Sequence, residues 1–218
     1  MSIKGPMLTG SILLLGPTGS GKSPLGNQIE KKGIKGKRCF HFDFGHELRG
    51  IAELDLPPEG FQNKDLLFIR DVLEKGLLLE NEHFHIAEKI VHYFLCRNDF
   101  REDDILILNG LPRHVDQAQD MAGIVEVRSL VVLECGPEEV YSRIEKNTGM
   151  DRTGRPDDGM AMIRKKLDIF NARTAALIEH YSNMGCDILK VRITAALTPE
   201  DAYDAFIDEY STCRHNPS

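Results

Sequence analysis

The sequence predicts an α/β fold, a three-layer sandwich of a parallel five-stranded sheet between helices. Three observations predict it. Short runs dense in Leu, Ile and Val alternate with longer stretches of helical periodicity. Those runs lack the in–out alternation of a half-exposed strand, so they read as strands buried on both faces. Strand–helix alternation along the whole chain then calls for right-handed crossovers between parallel strands.

The strands are expected at 11–15 (SILLL), 38–43 (RCFHFD), 104–109 (DILILN), 129–135 (SLVVLEC) and 187–191 (DILKV). Helices are expected at 22–32, 64–75, 81–97, 137–146, 157–183 and 199–209. Pro137 and Pro199 suit a first helical turn, where a missing N–H is harmless, and the acidic residues after each suit the helix N-terminus. Phe84, Ile86, Ile90, Tyr93 and Phe94 recur at helical spacing and read as a core face. Two stretches interrupt the pattern: 50–63, with Pro57, Pro58 and Gly60, and the polar, basic 147–156 (NTGMDRTGRP). Both read as excursions from one core, so 1–218 is expected to be a single domain.

Composition narrows the function. Apolar residues at 41% and charged residues at 28% exclude a disordered chain. No apolar run approaches the ~18 residues of a membrane-spanning helix. Acidic residues outnumber basic ones, 34 to 27, which argues against a dedicated nucleic-acid binder. The five cysteines form no CxxC pair, which points to reduced thiols and a cytoplasmic protein. The apolar run at 12–15 is too short for a secretory leader. His83, His85 and His92 lack metal-ligand spacing and read as surface or packed histidines.

Gly16-Pro17-Thr18-Gly19-Ser20-Gly21-Lys22-Ser23 fits G-x-x-x-x-G-K-S/T between a strand and a helix, the context a phosphate-binding P-loop requires. Glycines let backbone N–H groups turn inward around a phosphate, and the helix N-terminus adds partial positive charge. Lys22 is placed to reach the β- and γ-phosphates, and the Ser23 hydroxyl to reach Mg²⁺. Pro24, in the first turn, loses little by lacking an N–H. A bound nucleoside triphosphate is therefore expected.

Further motifs follow in order. Leu108-Asn109-Gly110-Leu111-Pro112-Arg113, with Gln117-Ala118, resembles the D-G-F-P-R-x-x-x-Q-A segment of adenylate kinases, within the nucleoside-monophosphate kinases. His41-Phe42-Asp43-Phe44-Gly45-His46-Glu47-Leu48-Arg49 is similar to their H-x-S-T-G-D-x-L-R, and Gly76-Leu77-Leu78-Leu79 to their G-x-L-V turn. Gly154-Arg155-Pro156-Asp157-Asp158 and Ile163-Arg164-Lys165-Lys166-Leu167 resemble the two halves of G-R-x-D-D and I-R/K-K-R-L. The segment from Thr174 to Tyr181 resembles T-x-P-L-I-x-Y-Y.

The resemblance implies a P-loop fold with strand order 2-3-1-4-5, a helical monophosphate-binding insertion at about 44–78 and a short, zinc-free lid at about 147–156. It implies that Arg49 and Arg113 grip the acceptor's α-phosphate, bidentately as guanidinium forks allow. By the same resemblance Gln117 reads an adenine, the backbone around Leu78 and Leu79 flanks it, and Gly110 belongs to the same pocket. Arg155 would close over the transferring group beside Lys22 and Arg113, with Arg152 and Lys166 as further lid cations.

Four positions depart from the family. Asn109 stands where the family has an Asp that faces the waters around Mg²⁺. Asp43 replaces a family Ser on the neighbouring strand, and could supply that charge beside Ser23. Phe44 replaces a family Thr at the acceptor base, which it could stack on but not hydrogen-bond. Lys166 replaces an Arg and keeps the charge without the fork. The implied activity is transfer of the γ-phosphoryl group from Mg·ATP to AMP by a monomer, with Mg²⁺ as cofactor and no nucleic acid or membrane partner. The alternatives are a kinase for another nucleotide or a small hydroxyl acceptor, and a non-catalytic ATP-binding protein.

Overall fold

The computed structural model describes residues 10–76, 79, 81–150 and 160–213. The strands are β1 (Gly10–Leu15), β2 (Cys39–Asp43), β3 (Ile105–Asn109), β4 (Glu126–Glu134) and β5 (Asp187–Arg192). The helices are α1 (Lys22–Lys32), α2 (Phe44–Ala52), α3 (Asn63–Glu74), α4 (Phe84–Arg97), α5 (Val115–Met121), α6 (Pro137–Lys146), α7 (Met160–Ile169), α8 (Ala176–Asn183) and α9 (Pro199–Cys213). A short 3₁₀ turn, Asn81–His83, leads into α4, and a π-helical turn, Phe170–Thr174, joins α7 to α8.

All strand pairings are parallel, in the order β2-β3-β1-β4-β5. The expected fold and strand order are thus observed. The continuous apolar runs are explained by two cores, one on each face of the sheet. Leu13 and Leu15 of β1, Leu106 and Leu108 of β3 and Leu130 and Val132 of β4 point into one, with the inner faces of α2, α3, α4, α5 and α8. Ile12 and Leu14, Ile107, and Val131 and Leu133 point into the other, against Leu25 and Ile29 of α1 and Phe206 and Tyr210 of α9. Successive side chains along a strand alternate faces, so both faces must be apolar when both are covered.

The expected helix at 157–183 is interrupted. Its described part is α7, the π turn and α8, and the Thr174 hydroxyl donates to the Arg113 carbonyl at 2.9 Å. A helix bonded i to i+5 is usually a local accommodation, frequently near a functional site. Two short helices, α2 within the expected helical insertion and α5, add to the expected set. Asp43 caps α2 by accepting the His46 N–H at 3.0 Å. Arg97 of α4 pairs with the buried Glu47 of α2 at 2.9 Å. Arg70 of α3 donates to the Ala52 and Leu54 carbonyls at 2.9 and 2.8 Å. Lys89 of α4 pairs with the buried Asp65 of α3 at 2.6 Å. The stretch after β2 is therefore a tied unit of helices packed on one face of the sheet. Among the described residues, no helix is long and apolar enough to cross a membrane.

Candidate active site

The P-loop closes the C-terminal end of β1, at the centre of the sheet, where doubly wound sheets bind ligands. Gly19 and Gly21 hold φ values of 79° and 97°, which L side chains rarely adopt, so the turn is open only to glycine. Gly16 is required for a different reason: an added Cβ would lie 2.7 Å from Ser20 Oγ and 3.0 Å from Leu133 Cβ. The Lys22 ammonium folds back over the loop and donates to the Gly16 and Pro17 carbonyls at 2.7 and 2.8 Å. No acidic residue and no side-chain cap occupies the first turn of α1, so its N-terminal dipole is not neutralised locally. Pro24 is buried in that turn.

Beside Lys22, Ser23 meets the ends of β2 and β3. Asp43 and Asn109 are register partners on these strands. The Ser23 hydroxyl donates to Asp43 Oδ2 at 2.5 Å. Asn109 Nδ2 donates to the same Oδ2 at 2.9 Å and to Ser23 Oγ at 3.0 Å. Asp43 Oδ1 takes the His46 N–H. Burial alone would raise the Asp43 carboxyl, but the Ser23 hydroxyl, the His46 N–H and the Arg49 charge outweigh it, and its pKa lies below the ordinary carboxylate value. Asp43 is thus held as a carboxylate.

Arg49 and Arg113 both lie within electrostatic reach of the same carboxylate. A Cβ added at Gly45 would sit 3.4 Å from Arg49 Nη1 and 3.5 Å from Asp43 Oδ1. One added at Gly110 would sit 3.7 Å from Phe44 Cβ and 3.8 Å from Arg113 Nη2. Arg113 is half-buried and donates from Nε to the Gly110 carbonyl at 2.8 Å. Burial lowers its pKa while the Asp43 charge pulls it back up. Among the described residues its guanidinium is bonded to no carboxylate. Gln117 is buried, with Oε1 accepting the Arg113 N–H at 2.9 Å and Nε2 donating to the Leu79 carbonyl at 2.7 Å. Arg113, Gln117 and Leu79 are therefore one bonded unit.

No protein-family model matches the chain. Curated relatives do. The adenylate kinase of Rickettsia bellii is 27% identical over 201 residues, covering 79% of this chain and 86% of its own. That of Thermus thermophilus is 24% identical over 199 residues, covering 88% and 92%. That of Stenotrophomonas maltophilia is 27% identical over 202 residues, covering 85% and 98%.

Over most of its length the chain is similar to curated adenylate kinases. It is an ATP-dependent phosphotransferase of the nucleotide kinase type.

One expected site residue is buried: Phe44 is 2% exposed, in the core, with its ring 6.2 Å from that of Phe42. The first residue of a capped helix packs inward here because Phe42 and Phe94 offer an aromatic surface beneath it. Lys166 lies half-buried on α7, and Arg164 is exposed on the same helix. Leu78, Arg152 and Arg155 lie outside the described residues, as does most of the expected lid. Its N-terminal approach is anchored: Asn147 ends α6 in the left-handed conformation and the Thr148 hydroxyl donates to the Ala195 carbonyl at 3.2 Å.

Two groups in this kinase escaped the sequence. Arg143 of α6 is 4% exposed; it donates to the Thr194 and Leu197 carbonyls at 2.8 Å each and to the Gly19 carbonyl at 3.3 Å. It locks the P-loop to the chain after β5. Only a buried Arg in an amphipathic helix signals it, and burial is not visible in a sequence. The second is His41, buried on β2. Its Nδ1 lies 2.8 Å from Asn27 Oδ1, which fixes that nitrogen as the donor, and its Nε2 lies 3.3 Å from Asn109 Nδ2. Gly26 makes room for the ring, since a Cβ there would lie 2.3 Å from His41 Nε2.

Burial pushes the His41 imidazole down from 6.5 to about 4. A depressed imidazole is refused its proton in the folded state, so stability is full above pH 6.5 and falls as the pH drops towards about 4. In metal-free protein, urea unfolding at pH 7.5 and at pH 4.5 is expected to show the wild type losing about 2–3 kcal/mol more than His41→Gln on acidification. Equal losses would mean that His41 is not held neutral.

Proposed function

We propose that the chain transfers the γ-phosphoryl group of ATP to the phosphate of a nucleoside monophosphate, with AMP as acceptor and Mg²⁺ as cofactor. The observation that carries this reading is Arg113. A half-buried guanidinium at the C-terminal edge of the sheet, bonded to a carbonyl and to no described carboxylate, is a cation awaiting an anion. Arg49 senses the same Asp43 carboxylate as Arg113, so a phosphate beside it would meet two guanidinium groups.

The P-loop would hold the donor's phosphates on its backbone N–H groups and the α1 N-terminus. Lys22 would exchange its two carbonyl partners for phosphate oxygens, keeping the ammonium over the loop. Mg²⁺ supplies positive charge to the β- and γ-oxygens when bound, and Ser23 would hold it with Asp43 alongside. Among the described residues no group of three or more His, Cys, Asp and Glu could hold a metal by itself, which suits an ion carried largely by phosphates and water.

Phosphoryl transfer needs little from the protein beyond in-line placement and cations on the equatorial oxygens. Lys22 and Arg113 would face the transfer from the donor and acceptor sides, and Arg155 would add a lid cation. The helices α2 and α3 would form the acceptor arm, and 147–156 the lid that excludes water. Gln117 and the Leu79 backbone would bracket the base. An amide nitrogen carries two protons; one goes to Leu79, and the second is suited to a ring nitrogen of adenine.

Asp43 also favours a second reading, a hydroxyl acceptor whose proton a carboxylate would take. Against it, both oxygens of Asp43 already accept protons, from Ser23, Asn109 and His46. The test is ADP formation from Mg·ATP with AMP, GMP, CMP, UMP and dTMP offered separately. Turnover highest with AMP is the expected result. Preference for another base would overturn the role of Gln117, and silence with ATP still bound would turn the reading to a hydroxyl acceptor or a nucleotide sensor.

A further inference from the structure

We propose that the carboxylate serving the metal–nucleotide complex in this chain is Asp43 of β2, and that Asn109, its register partner on β3, is the amide that aims it. The inference rests on the reading of the P-loop as the donor site.

The Ser23 hydroxyl has one proton and two lone pairs. The proton goes to Asp43 Oδ2 at 2.5 Å, and one lone pair takes a proton from Asn109 Nδ2 at 3.0 Å. The second lone pair is left for a cation. Asp43 thereby orients the hydroxyl so that it presents oxygen, not hydrogen, to a metal. The Asn109 amide cannot be turned over. With Oδ1 in place of Nδ2, two oxygens would face each other at 2.9 Å across an ionised carboxylate, and the His41 lone pair would face a third acceptor.

Charge arithmetic points the same way. Lys22, Arg49 and Arg113 are cations around this point, and a carboxylate beside them offsets part of their repulsion of a divalent cation. Two carboxylates at 43 and 109 would stand within hydrogen-bond distance and would have to share a proton. One negative charge fits the pair of positions. Adjacent parallel strands lie about 4.8 Å apart, so a charge on β2 rather than on its β3 partner reaches the same hydroxyl. Asp43 is thus a positioning residue for Ser23 and a counter-charge for the metal.

The test uses the full chain and a non-hydrolysable ATP analogue, with affinity measured by titration calorimetry in EDTA and in excess Mg²⁺. Asp43→Ser is the diagnostic variant, because Ser caps a helix almost as well as Asp and so keeps the His46 contact. Wild type is expected to bind the analogue more tightly with Mg²⁺. Asp43→Ser is expected to lose about 10–100-fold of that Mg²⁺-dependent gain while its affinity in EDTA holds or rises. Adding Asn109→Asp to Asp43→Ser is expected to restore the gain, because the charge returns on the neighbouring strand. A merely structural Asp43 would lower both affinities together and would not be rescued. An unchanged Mg²⁺ gain in Asp43→Ser, or no rescue in the double variant, overturns the proposal. Failure of wild type to bind the analogue even in EDTA would instead remove the donor-site reading, and this proposal with it.

Discussion

Lys22→Ala is expected to lower phosphoryl transfer by at least about 100-fold while leaving the fold intact, as preorganised cations at developing charge are worth that much or more. The structure gives the reason both halves should hold. The ammonium donates to the Gly16 and Pro17 carbonyls at 2.7 and 2.8 Å, and it does not belong to either apolar core. Its removal leaves Gly16 and Pro17 carbonyls that water can satisfy at the rim of the sheet. The P-loop turn itself is held by Gly19 and Gly21 and by Arg143, none of which depends on Lys22. Circular dichroism and the urea midpoint should match wild type while coupled-assay turnover collapses. A variant with normal turnover would remove the P-loop from the reaction.

Arg113→Ala is the second large effect, and it should separate acceptor from donor. Hydrogen bonds to charged groups contribute about 1.5–3 kcal/mol each, so losing a bidentate grip on a phosphate is expected to lower kcat/KM for AMP by about 100-fold or more. Affinity for ATP should be unchanged. Arg113→Lys should recover only part of the loss, since an ammonium keeps the charge but not the fork. The buried network supplies a control. The Arg113 backbone N–H and carbonyl, which hold Gln117 and Thr174, survive both substitutions, so the acceptor loop should keep its shape. An Arg113→Ala enzyme with wild-type KM for AMP would place the acceptor phosphate elsewhere.

How much of this was legible without a structure follows from the range of each interaction. The P-loop is a contiguous motif whose meaning is local: glycines where φ is positive, a lysine and a hydroxyl at the start of a helix. The strands were legible because burial on both faces leaves an unbroken apolar run, and the two cores confirm the cause. The short helix α2 was not legible as a separate element. Gly45 and Gly50 lower its intrinsic propensity, and it stands because Asp43 caps it and Leu48 and Ile51 are buried. The π turn was hidden too, since Phe170–Thr174 continues a helical pattern and its bond to the Arg113 carbonyl spans 61 residues.

The sequence by itself determined the layers of the fold, the phosphate loop and the identity of the candidate cations, because periodicity and short motifs act over a few residues. Only the tertiary structure decided what those groups face. Ser23, Asp43 and Asn109 are separated by 20, 66 and 86 residues, and β-register alone brings them within hydrogen-bond distance. Phe44 is buried in the core because Phe42 and Phe94 are there to receive it. Gln117 found the Leu79 carbonyl, 38 residues away, because a buried amide must be satisfied wherever packing places it.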